Sequence, residues 1–570
     1  MTQQPNKLSQ FWQELKRRKV IRVIIVYAAA GYAIIQFVEL VTDPLNLPEW
    51  ALALVIVLVA TGFPIAIIFA WIFDITAKGI KKTEPLEAAD EVRAVQPTLE
   101  KPVIRENSII VLPFENISPD PDQEYFSDGL TEEIITDLSY VQDLLVISRS
   151  SAMTFKGTKT TIKDIVKKVN ARYVLEGSVR KVENKLRITA QLIDGLDDTH
   201  IWAEKYSGTL DDVFDIQEKV SQSIVNALKL KLSSDELRKI KERPIDNVLA
   251  YDCYLRASRE ILSFTKDRLD YALELLNKGL DIIGENSHIY AGLAYTYSQY
   301  ANLGFEQEEN INKAEEYVRK AFAIDSNSAE AHFVSGCINM TFHTNTHQAI
   351  GHFQRAHAIK PEDPDISFWL SFGYDLVGKT DDAMDLTDRI IMIDPINPMN
   401  YAMKAFHHFF QGQFDIAQKG LKDMHLIMPE SSMWYLWNSI ILLYNERPDE
   451  TYEFINMNVK EPGQDLVTQF VIFLKYVLKG EKNKLPSLLT SDFLKYCQKD
   501  CQISWHMATF YSYLDDKDQS LVWLSNAVDR GFINYPFLSE HDKLLSNIRG
   551  EKRFMKLMKK VKHEWENFEV

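Results

Sequence analysis

PDISFWLSFGYDLVGKTDDAMDLTDRIIMIDPIN at residues 364–397 runs directly into PMNYAMKAFHHFFQGQFDIAQKGLKDMHLIMPES at residues 398–431. Laid one over the other, the two stretches pair Pro364 with Pro398, Gly378 with Gly412, Ala383 with Ala417 and Pro395 with Pro429. The same beat of 34 residues carries back to Ala349 and Pro361. A glycine at mid-unit suits a tight turn between two helices, and a small residue shortly after it lets the pair cross closely. Units of this length are helical hairpins that cannot bury their apolar faces alone and must stack on their neighbours. The carboxy-terminal half therefore reads as a helical solenoid, and its function is to be sought in binding before catalysis.

Working outward from that core, clear units cover about 328–361, 364–397 and 398–431. Weaker ones precede them around Ala272/Leu276 and Ala314/Val318/Ala321, and a late degenerate one shows Trp505, Tyr511, Leu524 and Ala527. Residues 432–500 keep a helical pattern without the motif. The register resembles tetratricopeptide repeats. The solenoid is placed at 246–548, and the amphipathic, charged segment 549–570 is read as its capping helix.

The chain has 570 residues and a net charge of −16, unevenly spread. Residues 1–82 hold nine Lys/Arg and five Asp/Glu, a balance of +4, which leaves −20 for the rest. So acidic a body disfavours general binding to nucleic-acid phosphates. Four cysteines, Cys253, Cys337, Cys497 and Cys501, are far too few for a disulfide framework and fit a reduced compartment.

Two apolar stretches, about 23–41 and 50–73, are each long enough, at about 1.5 Å per residue, to cross a hydrocarbon layer of about 30 Å. They predict a transmembrane hairpin at 23–77 behind a basic segment, 1–22. Lys16, Arg17, Arg18, Lys19 and Arg22 precede the first stretch, while Lys78, Lys81 and Lys82 follow the second. The connector has no Lys or Arg, which predicts both chain ends on the cytoplasmic side. The same cations are placed to meet anionic lipid heads. Residues 78–107, with Pro85, Pro97 and Pro102, read as a tether.

Residues 108–232 mix short strands with amphipathic helices, an α/β or α+β layer domain. Ser108–Phe114 is a β-branched run closed by a proline. Leu186, Ile188, Ala190 and Leu192 alternate along a strand, and Thr209 with Asp212 is a capping-box signature. Six blocks in order carry a resemblance: VLPFENIS (111–118), YFSDGLTEEI (125–134), LEGSVR (175–180), RITAQLID (187–194), HIWAEKY (200–206) and DVFDIQ (212–217). Together they resemble the TolB amino-terminal-like domain of bacterial membrane-tethered repeat proteins. Relatives of that kind join the domain to an adenylate cyclase or a winged-helix DNA-binding domain, and neither is recognisable in residues 1–107. The resemblance implies an envelope-associated signalling or assembly role. TolB itself is periplasmic, whereas the Lys/Arg asymmetry of this chain argues for the cytoplasmic side.

Resemblance to other tetratricopeptide domains implies that the first helix of each pair lines a concave groove. The groove side chains are then Asp365, Phe368, Phe372 and Asp375 in one unit and Met399, Phe406 and Phe409 in the next. An aromatic, partly acidic groove suits a helical or extended peptide with apolar anchors and Lys/Arg. Several of these aromatics serve equally well as core between repeats. Gly373 to Thr380 matches the phosphate-loop pattern in letters, but the period puts Tyr374 inside a helix, whose N–H groups are already bonded. Cys497 and Cys501 share a helix face near His506 without an evident fourth metal ligand. His407-His408 lies in a repeat helix. No catalytic residue, cofactor or metal is expected.

The sequence thus predicts a multidomain protein of the bacterial inner membrane: two transmembrane helices, a central α/β domain and an all-α solenoid. The expected function is a non-enzymatic adaptor binding a protein or peptide through the groove, with the bilayer as second partner, oligomerisation open and no nucleic acid. A small-ligand sensor or regulatory subunit of a signalling enzyme such as a cyclase is the alternative.

Overall fold

A computed structural model describes residues 73–76, 79–82, 104–120, 123–263, 265–427, 431–461 and 465–569. The chain divides into two compact units, Met1–Lys101 and Pro102–Val570. In the first, β1 (Phe73–Thr76) and β2 (Gly79–Lys82) pair antiparallel, with Asp74 opposite Lys81 and Ile75 opposite Ile80. A hairpin therefore stands where the sequence reading had the end of a span and the start of a tether. The rest of the stretches 23–41 and 50–73, with Lys16, Arg17, Arg18, Lys19 and Arg22, lies outside the described residues. Among the described residues, no helix is long and apolar enough to cross a membrane.

The second unit opens with a sheet. Its elements in chain order are β3 (Arg105–Val111), β4 (Glu115–Asn116), α1 (Glu124–Ser139), β5 (Leu145–Val146), α2 (Arg149–Met153), α3 (Ile162–Val169), β6 (Ala171–Val182), β7 (Lys185–Asp194), β8 (Thr199–Thr209) and α4 (Val213–Ala227). The strand order is β5-β3-β6-β7-β8, with β4 beside β6. β5, β3 and β6 run parallel, and β7 and β8 follow antiparallel. Ile109, Ile110 and Val111 are wholly buried, as a β-branched run at the centre of a sheet should be. Phe126, Leu130, Ile134 and Leu138 of α1 are buried at helical spacing, and Val213, Ile216, Val220 and Ile224 give α4 the same kind of apolar stripe. The Thr209–Asp212 capping box is formed, and the chain passes through a 3₁₀ turn into α4.

Helices fill the remainder. After α5 (Ser234–Lys241) come six successive hairpins: α6 (Val248–Ile261) with α7 (Lys266–Ile283), α8 (Ser287–Asn302) with α9 (Gln307–Ile324), α10 (Ala329–Ile338) with α11 (Thr346–Ile359), α12 (Pro364–Leu376) with α13 (Thr380–Ile393), α14 (Pro398–Phe410) with α15 (Phe414–Ile427), and α16 (Ser432–Tyr444) with α17 (Pro448–Asn458). The period has a local cause at both ends of α12 and α14. Pro364 and Pro398 occupy the first helical turn, where a missing N–H costs nothing, and Asp363 and Asn397 cap the N–H groups behind them. Gly378 and Gly412 turn the chain at φ +73° and +74°, and a Cβ on Gly412 would meet the His541 ring at 2.6 Å. Ala349, Ala383 and Ala417 are wholly buried.

The last stretch, α18 (Leu466–Leu478), α19 (Leu485–Leu488), α20 (Ser491–Lys499), α21 (Cys501–Tyr513), α22 (Lys517–Asp529) and α23 (Lys552–Glu566), returns onto the middle hairpins. A helix leaves its last carbonyls unpaired, and here the returning chain supplies donors for α12. The Ile533 N–H bonds Leu376 O at 3.0 Å, Asn534 Nδ2 bonds Asp375 O at 2.7 Å, and Trp565 Nε1 bonds Gly378 O at 3.2 Å. Behind these bonds lies an aromatic core. Phe409 meets Tyr444 edge-on at 4.8 Å and Phe537 at 5.3 Å, while Trp505 stacks on Phe532 at 5.0 Å.

His506 sits in that core, wholly buried, with neither ring nitrogen hydrogen-bonded and the Trp505 ring 4.1 Å away. Burial holds its pKa down to about 3. The unfolded chain takes up this proton near pH 6.5 and the folded chain does not, so stability falls as pH drops below about 6.5 and keeps falling towards 3. Asp542 in the same core works the other way: burial pushes its carboxyl up to about 6, so the folded chain gains on the unfolded one between about pH 6 and 4. His506→Phe is expected to lose less stability than the parent between pH 7 and 4, by on the order of 2–3 kcal/mol in urea titrations.

Candidate functional site: the crevice between sheet and repeats

The sheet layer is fastened to the helical hairpins at two places far apart in the chain. At the first, the Tyr125 hydroxyl donates to Asp252 Oδ1 of α6 at 2.5 Å, and Lys181 Nζ approaches the same carboxylate at 3.4 Å. Gly129 lets α1 lie against Leu255, whose Cδ1 stands 2.5 Å from where a Cβ would be. At the second, the Ser148 N–H bonds Ile393 O at 2.8 Å, and the Ser148 and Ser151 hydroxyls donate to Asp394 Oδ1 at 2.5 and 2.6 Å. The Ile396 N–H in turn bonds Ser151 Oγ at 3.2 Å. Asp394, Ser148 and Ser151 are all buried.

Between these two fastenings the polar side of α1 looks onto the first helices of the hairpins. Glu132 and Glu133 come from α1, Arg149 from α2, His288 from α8, Glu330 from α10, Lys360 from the end of α11 and Asp365 from α12. Lys360 Nζ lies 2.5 Å from Glu330 Oε1, His288 Nε2 lies 3.4 Å from the same oxygen, and Arg149 Nε lies 3.0 Å from Glu132 Oε2. Water still reaches these groups: the Lys360, Glu330 and His288 side chains are 30%, 24% and 23% exposed. Crowding nonetheless moves the acids apart. Burial, then Glu132, pushes Glu133 up to about 7. Burial also opposes ionisation of Glu330, but Lys360 and His288 outweigh it and hold that carboxyl well below the usual range. Glu133, which accepts a hydrogen bond from Tyr251, and Asp365 form no salt bridge among the described residues, whereas Glu132 and Glu330 do. The crevice is suited to receive a cationic group or a proton.

Only half of the predicted groove is open. Asp365 is exposed, and Phe368, Phe372 and Met399 are half-buried, the two phenylalanines edge-on to Trp369 at 6.2 and 6.0 Å. Asp375, Phe406 and Phe409 do not line a groove. Phe406 is buried against Trp437 at 4.1 Å, Phe409 is the centre of the aromatic core, and Asp375 is 1% exposed. The repeat register places all three on the first helices of their hairpins, α12 and α14. It carries no sign that residues 434–541 fold back onto that face.

Asp375 Oδ2 lies 2.6 Å from His407 Nδ1, whose Nε2 meets Thr387 Oγ1 at 2.7 Å and Ser371 Oγ at 3.3 Å. The order of groups resembles a hydroxyl–imidazole–carboxylate chain. All four residues are at most 1% exposed, so no substrate carbonyl reaches the hydroxyls. The network joins α12, α13 and α14 instead. The phosphate-loop letters at Gly373–Thr380 lie in paired helices, with the Val377 N–H on Gly373 O and the Lys379 N–H on Tyr374 O. Those donors are spent, and the Lys379 ammonium lies over the Trp565 ring at 5.8 Å. Among the described residues no group of three or more His, Cys, Asp or Glu is placed to hold a metal, and burial raises both the Cys497 and Cys501 thiols.

Glu132 and Glu133 were legible as the polar side of a helix within the block at 125–134. Their meeting with Lys360, Glu330 and Asp365, and the Ser148–Asp394 contact, depend on pairings between distant segments that no periodicity announces.

Residues 105–225 match the family of the HilA/YgeH-like transcriptional regulator, second domain. This match covers most of the stretch read above as TolB-like. A protein named Putative adenylate cyclase 3 from Rhizobium meliloti (strain 1021) is 38% identical over 228 residues, 40% of this chain and 39% of that protein. Transcriptional regulator HilA of Salmonella typhimurium is 24% identical over 216 residues, 37% of this chain and 38% of that protein. The chain thus spans about two fifths of the length of the curated relatives it matches. Among solved structures, a tetratricopeptide repeat protein from Parabacteroides merdae aligns over 52% of this chain and 99% of its own, at 14% identity and a TM-score of 0.31.

Phe409→Ala is expected to cost about 3–5 kcal/mol of stability, and Phe368→Ala well under half of that, because only the first opens a cavity in a sealed core; urea denaturation of the two variants checks this. Asp394→Ala leaves two buried serine hydroxyls without their acceptor, at about 1–3 kcal/mol. Hydrogen exchange is expected to accelerate at residues 147–152 and 393–397 and to stay unchanged at 186–192.

Proposed function

We infer that this chain is a membrane-anchored, non-enzymatic scaffold that holds a protein partner in the crevice and on the open half of the repeat groove. The observation that carries the reading is the pairing of two unbridged carboxyls, Glu133 and Asp365, with the half-buried rings of Phe368 and Phe372 on the same helix as Asp365. A peptide segment with a Lys or Arg beside an apolar anchor satisfies both parts: the cation meets the acids and the anchor covers the rings. The helical hairpins supply a rigid frame for such a segment. Anchoring in a bacterial inner membrane, with the body on the cytoplasmic side, is supported by the apolar stretches 23–41 and 50–73 and by the cations Lys16, Arg17, Arg18, Lys19, Arg22, Lys81 and Lys82 around them.

The relatives suggest the context. One is named for a cyclase and one for transcriptional regulation, and both matches favour a signalling role over a purely architectural one. The TolB-like blocks favour work at the envelope. The 38% identity to the cyclase-named protein also favours a second reading, in which the chain is a regulatory subunit whose sheet domain binds a small ligand.

Co-purification from membranes of the native host separates these readings. Asp365→Lys combined with Phe368→Ala is expected to release a protein that the parent chain retains, with the circular dichroism melt unchanged. Recovery of the same proteins with both chains overturns the scaffold reading. A thermal shift of the full chain on addition of a cyclic nucleotide supports the sensor.

A further inference from the structure

One face of the sheet carries an arrangement that the crevice does not use. β6, β7 and β8 pair in register, so their outward side chains form rows: Glu176–Gln191–Ala203, Ser178–Thr189–Lys205, Arg180–Arg187–Ser207 and Val182–Lys185–Thr209. The inward neighbours Val179, Leu186, Ile188 and Ala190 are buried. Arg180, Lys185, Arg187 and Lys205 are exposed, and none has a salt bridge or hydrogen bond through its side chain among the described residues. Arg180 stands directly across from Arg187, a like-charge pairing that destabilises a strand pair. Two acids share the face: Glu176, engaged by the Gln191 amide, and Glu115 of β4, exposed beside Ser178. In a chain of net charge −16, these four cations are a local reversal of sign.

β8 is also an edge. Among the described residues it pairs with β7 on one side and with no strand on the other, and eight of its eleven residues are exposed. Alternate residues of such a strand turn their N–H and C=O groups outward, a template for another strand. Natural edges are blunted by prolines, bulges, cover or charged side chains, and of these β8 has the charges Glu204 and Lys205. From Trp202 to Thr209 there is no proline, and the one break in register lies at the far end, opposite Leu192 and Ile193.

We propose that β8 receives an extended acidic segment of a partner protein as an added strand. Its backbone completes the ladder along β8, and its outward carboxylates meet Lys205 first and Arg187 one strand further, about 10 Å away at the usual strand spacing. Lys185 and Arg180 extend the same attraction to the end of the face. A phosphodiester chain would feel these cations too, but it has no use for a free strand edge, and the outward rows hold no aromatic ring for bases to stack on. The surface is separate from the crevice, whose ligand chemistry is cationic, so a partner acidic in one segment and basic in another could engage both.

Fluorescence anisotropy with the full chain tests this. The probe is a peptide of about ten residues, the length of a strand, alternating Glu with Val or Thr. Binding is expected to weaken with salt, to vanish for the peptide with Lys in place of Glu, and to vanish when every second amide facing the edge is N-methylated. Arg187→Glu with Lys205→Glu is expected to weaken it by about tenfold or more, which is about 1.4 kcal/mol, with the thermal melt unchanged. No binding by the parent chain, equal binding after N-methylation, or binding of an oligothymidylate of the same charge at least as tight overturns the proposal. The methylated peptide decides the matter on the parent chain even if the double variant fails to fold.

Discussion

A helical hairpin has two apolar faces and only one partner within itself. Stacking hairpins solves the problem along the row, but the first helices still present a second face sideways. In this chain that face is closed from within over half its length. Phe406, Phe409 and Phe410 project from α14, and Trp437, Tyr444, Trp505, Phe532 and Phe537 come back to meet them. The glycine turns make room for this return, since Gly378 lies against Asn534 and Trp565, and Gly412 against His541. The rest of the architecture depends on that closure. It fixes where the groove ends, seals the polar network about His407, and leaves the amino-terminal hairpins to face the sheet domain instead.

The two polar clusters show what sealing does to the same chemistry. Ser371, Thr387, His407 and Asp375 sit in a dry interior, where hydrogen bonds within the hairpins tie the four together and none meets solvent; Asp375 Oδ1 is left without a hydrogen-bond partner. Glu132, Glu133, Glu330, Lys360 and Asp365 sit in a wet crevice where the matching is incomplete. The dry cluster serves packing specificity, because a buried polar group without its partner is costly. Incomplete matching in a wet site leaves free energy for something else to collect.

The sequence made the local devices readable and left the distant ones hidden. Helix starts at Pro364 and Pro398, the turns at Gly378 and Gly412, the alternation of β7 and the Thr209–Asp212 box all follow from residues within one turn or strand of each other. The meeting of Ser148 with Asp394 and the return of Trp505 to Phe409 join segments separated by about a hundred residues or more, and the sheet pairs β3 with β6 across the helices between them, neither of which a single chain's periodicity encodes. The groove prediction failed at Asp375, Phe406 and Phe409 for that reason: the register told which way they point and could not tell what fills the space. The hairpin at residues 73–82 was missed because its short strands hold few apolar residues and follow a stretch whose hydropathy dominates any window.

The late arrival of those aromatic partners has a bearing on how the chain is made. Synthesis places α14 outside the ribosome well before Trp505 and Phe537 exist. At roughly 5–20 residues per second, the aromatic flank of the middle hairpins stands bare for several seconds in every newborn molecule. A helper that shields greasy surface is best matched to that interval, and a chain stopped short of its final hundred residues would carry the exposed flank permanently and be a natural object of quality control.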